Sequence, residues 1–543
     1  MKYCRFKRLA LLMMAVIGSM SANAVKFTVG EVNYNITDEK GLVVEVVAGE
    51  TKYQGTVTIP ATVSYGGKTY NVKSIGNYAF SQCTDLVKVV VGSKVESIGF
   101  RAFYSCTNLK NINWSNNIKN YDGCVFQGCT SLESAELSSS LESMGSYVFA
   151  DCINMTSVTI NDGCAIVGES AFNGCEKLLS VTIPNSVTAV KASAFSDCKA
   201  LVSATIGDGA VSIGNYAFYR CSALETVKIG SKVESIGFRA FNECTNLKNI
   251  NWSNNIKNYD GCVFQGCTSL ESAELSSSLE SMGSYVFADC INITSVTIND
   301  GCAIVGESAF NGCVKLRTVN VPQSVTTLGN SAFNECKALT LANIGNGVRN
   351  IGSYVFYKCS ALETVRIGSN VTQIGFRAFC DCTALNSFTC YSNEPPTLNE
   401  NAFNSYTTAV YVPVSAVDAY KEAEVWKKFG NHIQALPSYV YLTIKQSIGG
   451  AVKARLNVGE SYNLNVQPVA GVKLLSVLYN GTDVTKQLVE NTYVTPAITE
   501  DSELVVNFDS DSGQSKKGDM NGDNKLDAAD VVLLVDAVME EKK

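Results

Sequence analysis

A single histidine, His432, serves all 543 residues. Nucleophilic and acid–base sites usually recruit histidine or paired groups held in a pocket. There is no phosphate-binding loop either, and no metal-ligand cluster except one acidic loop near the C-terminus. Enzyme chemistry is therefore the least expected class, and His432, without partners in the sequence, reads as a surface residue. Basic charge is also short. Lys and Arg total 43 against 50 Asp and Glu, a net charge of −7, which makes a poor nucleic-acid binder. Long apolar runs are missing as well. Leu9–Ile17 is too short to span a bilayer. It follows Lys2, Arg5, Lys7 and Arg8 and precedes Ala22-Asn23-Ala24, a small-x-small cleavage pattern. Residues 1–24 thus read as a signal peptide, and losing its four bases takes the net charge from −7 to −11. A secreted chain with no transmembrane segment in its mature form is expected. No Cys follows the cleavage point, so a lipid anchor there is not.

What the chain has in abundance is repetition. Phe80 recurs every 23 residues through Phe103 and Phe126 to Phe356 and Phe379, and three places after each Phe stands a Cys, from Cys83 to Cys382. Leu86, Val89 and Val91 follow the first Cys, and their alternation predicts a short strand. Val95, Ile98 and Gly99 turn the chain back, and Ala102-Phe103 opens the next unit, expected as one turn of helix. One unit cannot bury its apolar side, but stacked units bury a shared column of Phe, Cys, Leu, Val and Ile. Fourteen strands in register would build a parallel sheet roughly 60 Å long.

A period in this range is the signature of a leucine-rich-repeat solenoid. The pattern carried by Leu178, Val181, Ile183, Pro184, Val187, Ala194, Phe195 and Cys198 resembles the BspA-type leucine-rich-repeat surface proteins of anaerobic bacteria, with Lys191 at the usual Gly. The fold class expected is an α/β leucine-rich-repeat solenoid of 23-residue repeats, with a long parallel sheet and short helical turns. A small all-β domain and a short calcium loop–helix tail follow it. Residues 25–66 are expected as an N-terminal β cap, with strands at Leu42–Val47 and Thr56–Pro60, and residues 67–435 as the solenoid with its closing cap. That cap is an amphipathic helix, Ser415–Phe429, bearing Val417, Tyr420, Trp426 and Phe429.

Fourteen of the 21 cysteines lie in the column. Secretion invites disulfides, yet column side chains all point one way and cross-linking neighbours would distort an even stack. They read as buried thiols packing like small hydrophobes. Cys382 of the lone Cys380-Asp381-Cys382 simply continues the column.

Thr107–Asn154 is identical to Thr245–Asn292, an offset of six units that keeps phase. A catalytic pocket is usually not built twice this way, whereas an extended binding face can be. If Val181 and Ile183 point inward, Ser180 and Thr182 point outward. The equivalent outward pairs are Ser157/Thr159, Ser203/Thr205, Thr226/Lys228, Asn249/Asn251 and Ser295/Thr297, with Thr318/Asn320 and Thr364/Arg366 beyond them. This ladder is either a solvated sheet face rich in β-formers or a shallow recognition surface of hydroxyls and amides. Trp114 and Trp252 fall on the inward phase and read as core.

Residues 437–509 form a different domain, with strands expected at Val440–Ile444, Tyr462–Val466, Leu474–Tyr479 and Leu504–Phe508 and a turn at Asn480-Gly481. Gly450-x-Val452, Gly459-x-x-Tyr462-x-Leu464, Pro468, Gly471 and Ile498-Thr499-x-Asp501 resemble internalin-type B-repeat modules, which implies a spacer or presentation role. Residues 510–543 are a linker and tail. Asp519, Asn521, Asp523, Asp527 and Asp530 place side-chain oxygens at positions 1, 3, 5, 9 and 12 of a twelve-residue loop, and the Lys525 carbonyl falls at position 7. A hard cation such as Ca2+ needs about six or seven oxygens, which this loop supplies. Gly518–Met539 resembles one repeat of a type I dockerin, with Asn524 at the usual Gly and a single copy where that family pairs two. The resemblances together imply a non-catalytic adhesin-like protein engaging a host matrix protein, mucin or surface glycan. The alternatives are a non-catalytic component of a polysaccharide-degrading complex recruited to a cohesin, and a passive stalk.

Overall fold

The computed structural model describes residues 25–437 and, beyond them, 439–446, 451–457, 463–466, 474–489, 492–495 and 502–508. The expected signal peptide (1–24) and the linker, calcium loop and helix (510–543) lie outside the described residues. The described residues divide into two compact units, one running to Asn386 with Thr397–Ser405, and one made of Ser387–Pro396 with the described residues from Tyr406 onward.

The first unit is a parallel-sheet solenoid with the expected 23-residue spacing. Its main strands bury alternate residues. Leu86, Val89 and Val91 of Leu86–Val91 point inward, and so do Val181 and Ile183 of Ser180–Ile183. Fifteen Phe rings, Phe80 to Phe379 and then Phe403 one residue late, stack at centroid distances of 4.9–5.5 Å with planes within 18° of parallel. Each pair of this kind contributes roughly 0.5–1.5 kcal/mol beyond its burial. Tyr53 ends the stack. Its ring lies 4.6 Å from that of Phe80, and its hydroxyl donates to the Val47 carbonyl at 2.9 Å and accepts the Asn33 backbone N–H at 3.1 Å.

Three expectations are corrected by the backbone. The turn that carries the Phe is not helical. Tyr78 and Gln82 take positive φ of 57° and 59°. The amides of Tyr78, Phe80 and Gln82 then reach the carbonyls of Phe100, Ala102 and Tyr104 in the next repeat, at 3.0, 2.7 and 2.6 Å. Ala79, Ser81 and Cys83 close local turns instead, at 3.1–3.2 Å. A helix would spend every amide within its own repeat, whereas this arrangement gives half of them to the stack. Second, the return leg after the main strand is itself a strand of two residues, Ser97–Ile98, and its equivalents pair in register as a second ladder that runs to Ser143–Met144, breaks, and resumes from Ile166–Val167 down to Thr397–Leu398. Third, the strand expected in the cap at Thr56–Pro60, observed as Gly55–Ile59, is not part of the cap. It pairs parallel with Leu86–Val91 and so opens the main sheet. The cap consists of Lys26–Val29, Val32–Asp38 and Val43–Val47, antiparallel neighbours in that order, and Val43–Val47 joins the second ladder through Lys68–Ile75.

The main sheet is also interrupted. Its regular ladder breaks after Asn111–Asn113 and after Ser157–Thr159, and again 138 residues later after Asn249–Asn251 and Ser295–Thr297. Trp114 and Trp252 stand just past the first break of each pair, half-buried, their rings edge-on to Phe126 at 5.1 Å and Phe264 at 5.4 Å.

In the second unit, Ser387–Cys390, Ala409–Val412 and Ile433–Ala435 are parallel neighbours. The expected single helix Ser415–Phe429 is broken. An α-helix covers only Val417–Glu422, Ala423 is extended, and a 3-10 segment covers Trp426–His432. The break lets Trp426 bury itself with its indole N–H on the Pro396 carbonyl at 2.7 Å, beside Tyr420 and Phe429. Val417 is only half-buried, and Ala416 takes the inward place. His432 is exposed. The C-terminal β domain has a five-stranded sheet that includes Ala451–Asn457, a strand not expected from the sequence, and a core of Leu442, Ile444, Val477, Leu504 and Val506 among others. Asn480 and Gly481 both have positive φ, as a tight two-residue hairpin turn requires.

Candidate functional site

Strand alternation decides what the outer face of the main sheet presents. Because Val181, Ala204 and Val227 are buried, their neighbours face out, and register aligns them into two rows. One row runs Ser180, Ser203, Thr226, Asn249 and the other Thr182, Thr205, Lys228, Asn251. Ser157/Thr159 and Ser295/Thr297 are placed likewise on their own rungs, beside Ser134/Glu136 and Ser272/Glu274. All twelve expected residues are exposed except Ser203 and Thr205, which are half-buried. Among the described residues, none of the twelve side chains spends itself in a hydrogen bond or ion pair within the protein. Further along the sheet the face closes on itself. Asn343 Nδ2 donates to Asn320 Oδ1 at 2.7 Å and Arg366 donates to Asn343 Oδ1 at 3.2 Å.

Two residues beside these rows went unnoticed in the sequence. Leu179 and Val202, one place ahead of the strands, are 54% and 42% exposed and lie on adjacent rungs. They give the hydroxyl rows an apolar edge. Their signal was positional, since the same place holds Thr156 and Glu225 on the rungs either side.

The cysteines face the other way. From Cys106 to Cys382 each column thiol donates to the carbonyl of the Phe one repeat back, Cys106 to Phe80 for example, at 3.0–3.3 Å. Burial pushes the thiols of Cys152, Cys244, Cys267 and Cys290 up, away from the reactive thiolate. Cys390 is raised to about 11 by burial, its sulfur accepting the Tyr420 hydroxyl at 3.0 Å. Cys152, Cys244, Cys267 and Cys290 are fully buried within the column. No group of three metal-ligating side chains forms among the described residues, and the expected ligands Asp519, Asn521, Asp523, Lys525, Asp527 and Asp530 lie outside them.

The sequence profile of the BspA type leucine rich repeat region matches in six copies, over residues 68–179, 165–294 and 280–410, more than half of the chain. The chain belongs to the BspA-type leucine-rich-repeat family. A leucine-rich repeat protein from Bacteroides ovatus, 28% identical, aligns over 75% of this chain and 98% of its own, with a TM-score of 0.59. A leucine rich cell surface protein from Faecalibacterium prausnitzii, 24% identical, aligns over 68% of this chain and 95% of its own at a TM-score of 0.41. The pneumococcal vaccine antigen PcpA, 16% identical, aligns over 76% and 98% at 0.42. No curated protein matches the chain. The BspA-type array explains the architecture of the face. Each 23-residue unit contributes one outward pair, so the polar face is spread over many rungs. No helix among the described residues is long and apolar enough to cross a membrane.

Proposed function

We propose that the chain is a secreted or cell-surface binding protein without catalytic chemistry of its own, adhesin-like, engaging a host matrix protein, mucin or surface glycan through the outer strand face. The observation that carries this reading is the in-register double row Ser180/Thr182 to Asn249/Asn251, whose hydroxyls, amides and ammonium group are unspent and, apart from the half-buried Ser203 and Thr205, exposed. A flat polar face with an apolar edge at Leu179 and Val202 suits recognition by many small contacts. The test is a binding panel of matrix proteins, mucins and polysaccharides probed with the full chain. The variant Ser180→Ala/Thr182→Ala/Ser203→Ala/Thr205→Ala is run alongside. Saturable binding to one class, weakened about tenfold or more in the variant, supports the reading; unchanged affinity moves the site off this face.

A second reading rests on the acidic loop. Five side-chain oxygens at Asp519, Asn521, Asp523, Asp527 and Asp530 are a donor set suited to Ca2+, and the dockerin resemblance makes cohesin the expected partner of a calcium-loaded tail. Calorimetry of the full chain against Asp519→Ala/Asp523→Ala reads this directly. A saturable calcium heat lost in the variant supports it, and no heat at millimolar calcium rejects it.

A further inference from the structure

The surface of the solenoid where the turns emerge carries a pattern that the 23-residue repeat does not require. The first left-handed position of each turn holds Tyr78, Arg101, Cys124, Tyr147, Ser170 and Ser193, and then the same six residue types again, from Tyr216 and Arg239 to Ser331, before Tyr354 and Arg377 begin a third round. Where Tyr and Arg fall on successive rungs, a cluster forms. Tyr78 meets Phe100 edge-on at 5.6 Å, and Arg101 lies over the Phe100 ring at 5.1 Å. Tyr216 meets Phe238 at 5.5 Å, with Arg239 over that ring at 5.2 Å. Tyr354 meets Phe376 at 5.4 Å, with Arg377 over it at 5.3 Å. The three clusters share one geometry and stand six rungs apart, about 29 Å at the usual strand spacing.

Their charge is unspent. Other cations on this surface are neutralised by the neighbouring repeat, as in Lys199–Glu176, Arg220–Glu243 and Lys358–Glu335. None of the ion pairs among the described residues involves Arg101, Arg239 or Arg377. The Nε atoms of Arg101 and Arg239 are buried without a hydrogen-bond partner. The stacked ring holds each guanidinium in place by cation–π attraction. Each cluster therefore offers a pre-positioned fork for an oxyanion beside aromatic rings.

We propose that these clusters are three equivalent subsites for one acidic polysaccharide, a chain bearing carboxylate or sulfate groups at regular intervals. Guanidinium pairs with the anion, and Tyr and Phe pack against the apolar faces of the sugar rings. A polymer is favoured over a compact ligand because the same chemistry recurs at a fixed interval along one straight repeat axis. Linking three weak sites through one ligand multiplies affinity by about 10²–10⁴ without any new contact. The surface is separate from the strand face, so either assignment can fail without the other.

The test titrates the full chain with heparin and, in parallel, with polygalacturonate, so that the two arms separate sulfate from carboxylate recognition. Oligosaccharides of each too short to reach two clusters, under about 29 Å, are run alongside. Arg101→Gln/Arg239→Gln/Arg377→Gln is expected to weaken polymer binding about a hundredfold or more, and a single substitution about tenfold. The triple Arg→Lys variant keeps the charge but loses the stacked fork, and is expected to bind between the wild type and the Gln variant. Far-UV circular dichroism melts of all variants separate misfolding from lost contacts. Equal affinity for short and long oligosaccharides, unchanged binding by the folded triple Gln variant, or equally tight binding of poly-glutamate would each overturn the proposal.

Discussion

The interior of the solenoid and its turn surface repeat on different periods. Inside, each rung from Phe80 to Phe379 supplies a Phe and a Cys at a 23-residue period, because each ring is buried by the next and the thiols from Cys106 on hydrogen-bond the rung before. Outside, the period is 138. Nothing in the stack demands Tyr at 78, 216 and 354, since Ser170 and Ser193 hold the same left-handed backbone position without aromatic side chains. Packing therefore enforces only the short period. The long one records block duplication, and at the Tyr–Phe–Arg clusters it has kept three copies of a surface whose upkeep the core does not impose.

This contrast can be broken most forcefully from inside. Phe218 is fully buried between Phe195 and Phe241, at 5.3 and 5.2 Å, so Phe218→Ala is expected to cost about 3–5 kcal/mol. Tyr216→Ser, two residues away on the surface, is expected to cost under about 1 kcal/mol, near the range of surface changes. Urea denaturation compares them, and equal losses would erase the distinction. The thiols sharpen it next. Burial raises the Cys244 thiol in the folded chain, so its contribution is fully present below the ordinary thiol pKa of about 8.5 and is lost as pH climbs beyond it. Stability measured against pH should fall above that point, and Cys244→Ala should flatten the fall by about 1.4 kcal/mol per pH unit. A slope unchanged by the substitution would show that the Cys244 thiol ionises alike in the folded and unfolded chain. The smallest effect lies outside. Arg220 and Glu243 pair at 2.9 Å with both side chains about half exposed, and Glu243→Gln should shift stability less than Tyr216→Ser does, and less still at high salt.

Much of this was legible in the sequence because the interior is periodic. Phe80 and Cys83 announce the column by spacing alone, and the outward phase of Ser180 and Thr182 follows from Val181 and Ile183. What escaped reading was too short or too contextual. Ser97–Ile98 shows no alternation in two residues, so the second ladder was hidden. Tyr78 and Arg101 give no left-handed signal, being residues that rarely take positive φ, and the conformation is imposed by amides that must reach the next rung. The helix at Val417–Glu422 stops where Trp426 turns in to meet Pro396, a tertiary demand with no local mark. The Tyr–Phe–Arg clusters were visible in principle. Aligning each repeat position down the array, rather than along each repeat, sets Tyr78, Tyr216 and Tyr354 in one column.

A stack in which each rung meets only its neighbours has one more consequence. The identical stretches Thr107–Asn154 and Thr245–Asn292 are interchangeable seams, and a crossover between them adds or removes six whole rungs while every junction between rungs stays native. Molecular length is thereby uncoupled from foldability. Such a lineage can adjust its reach, and with it the valence of its turn surface, in single genetic steps and without passing through a broken intermediate.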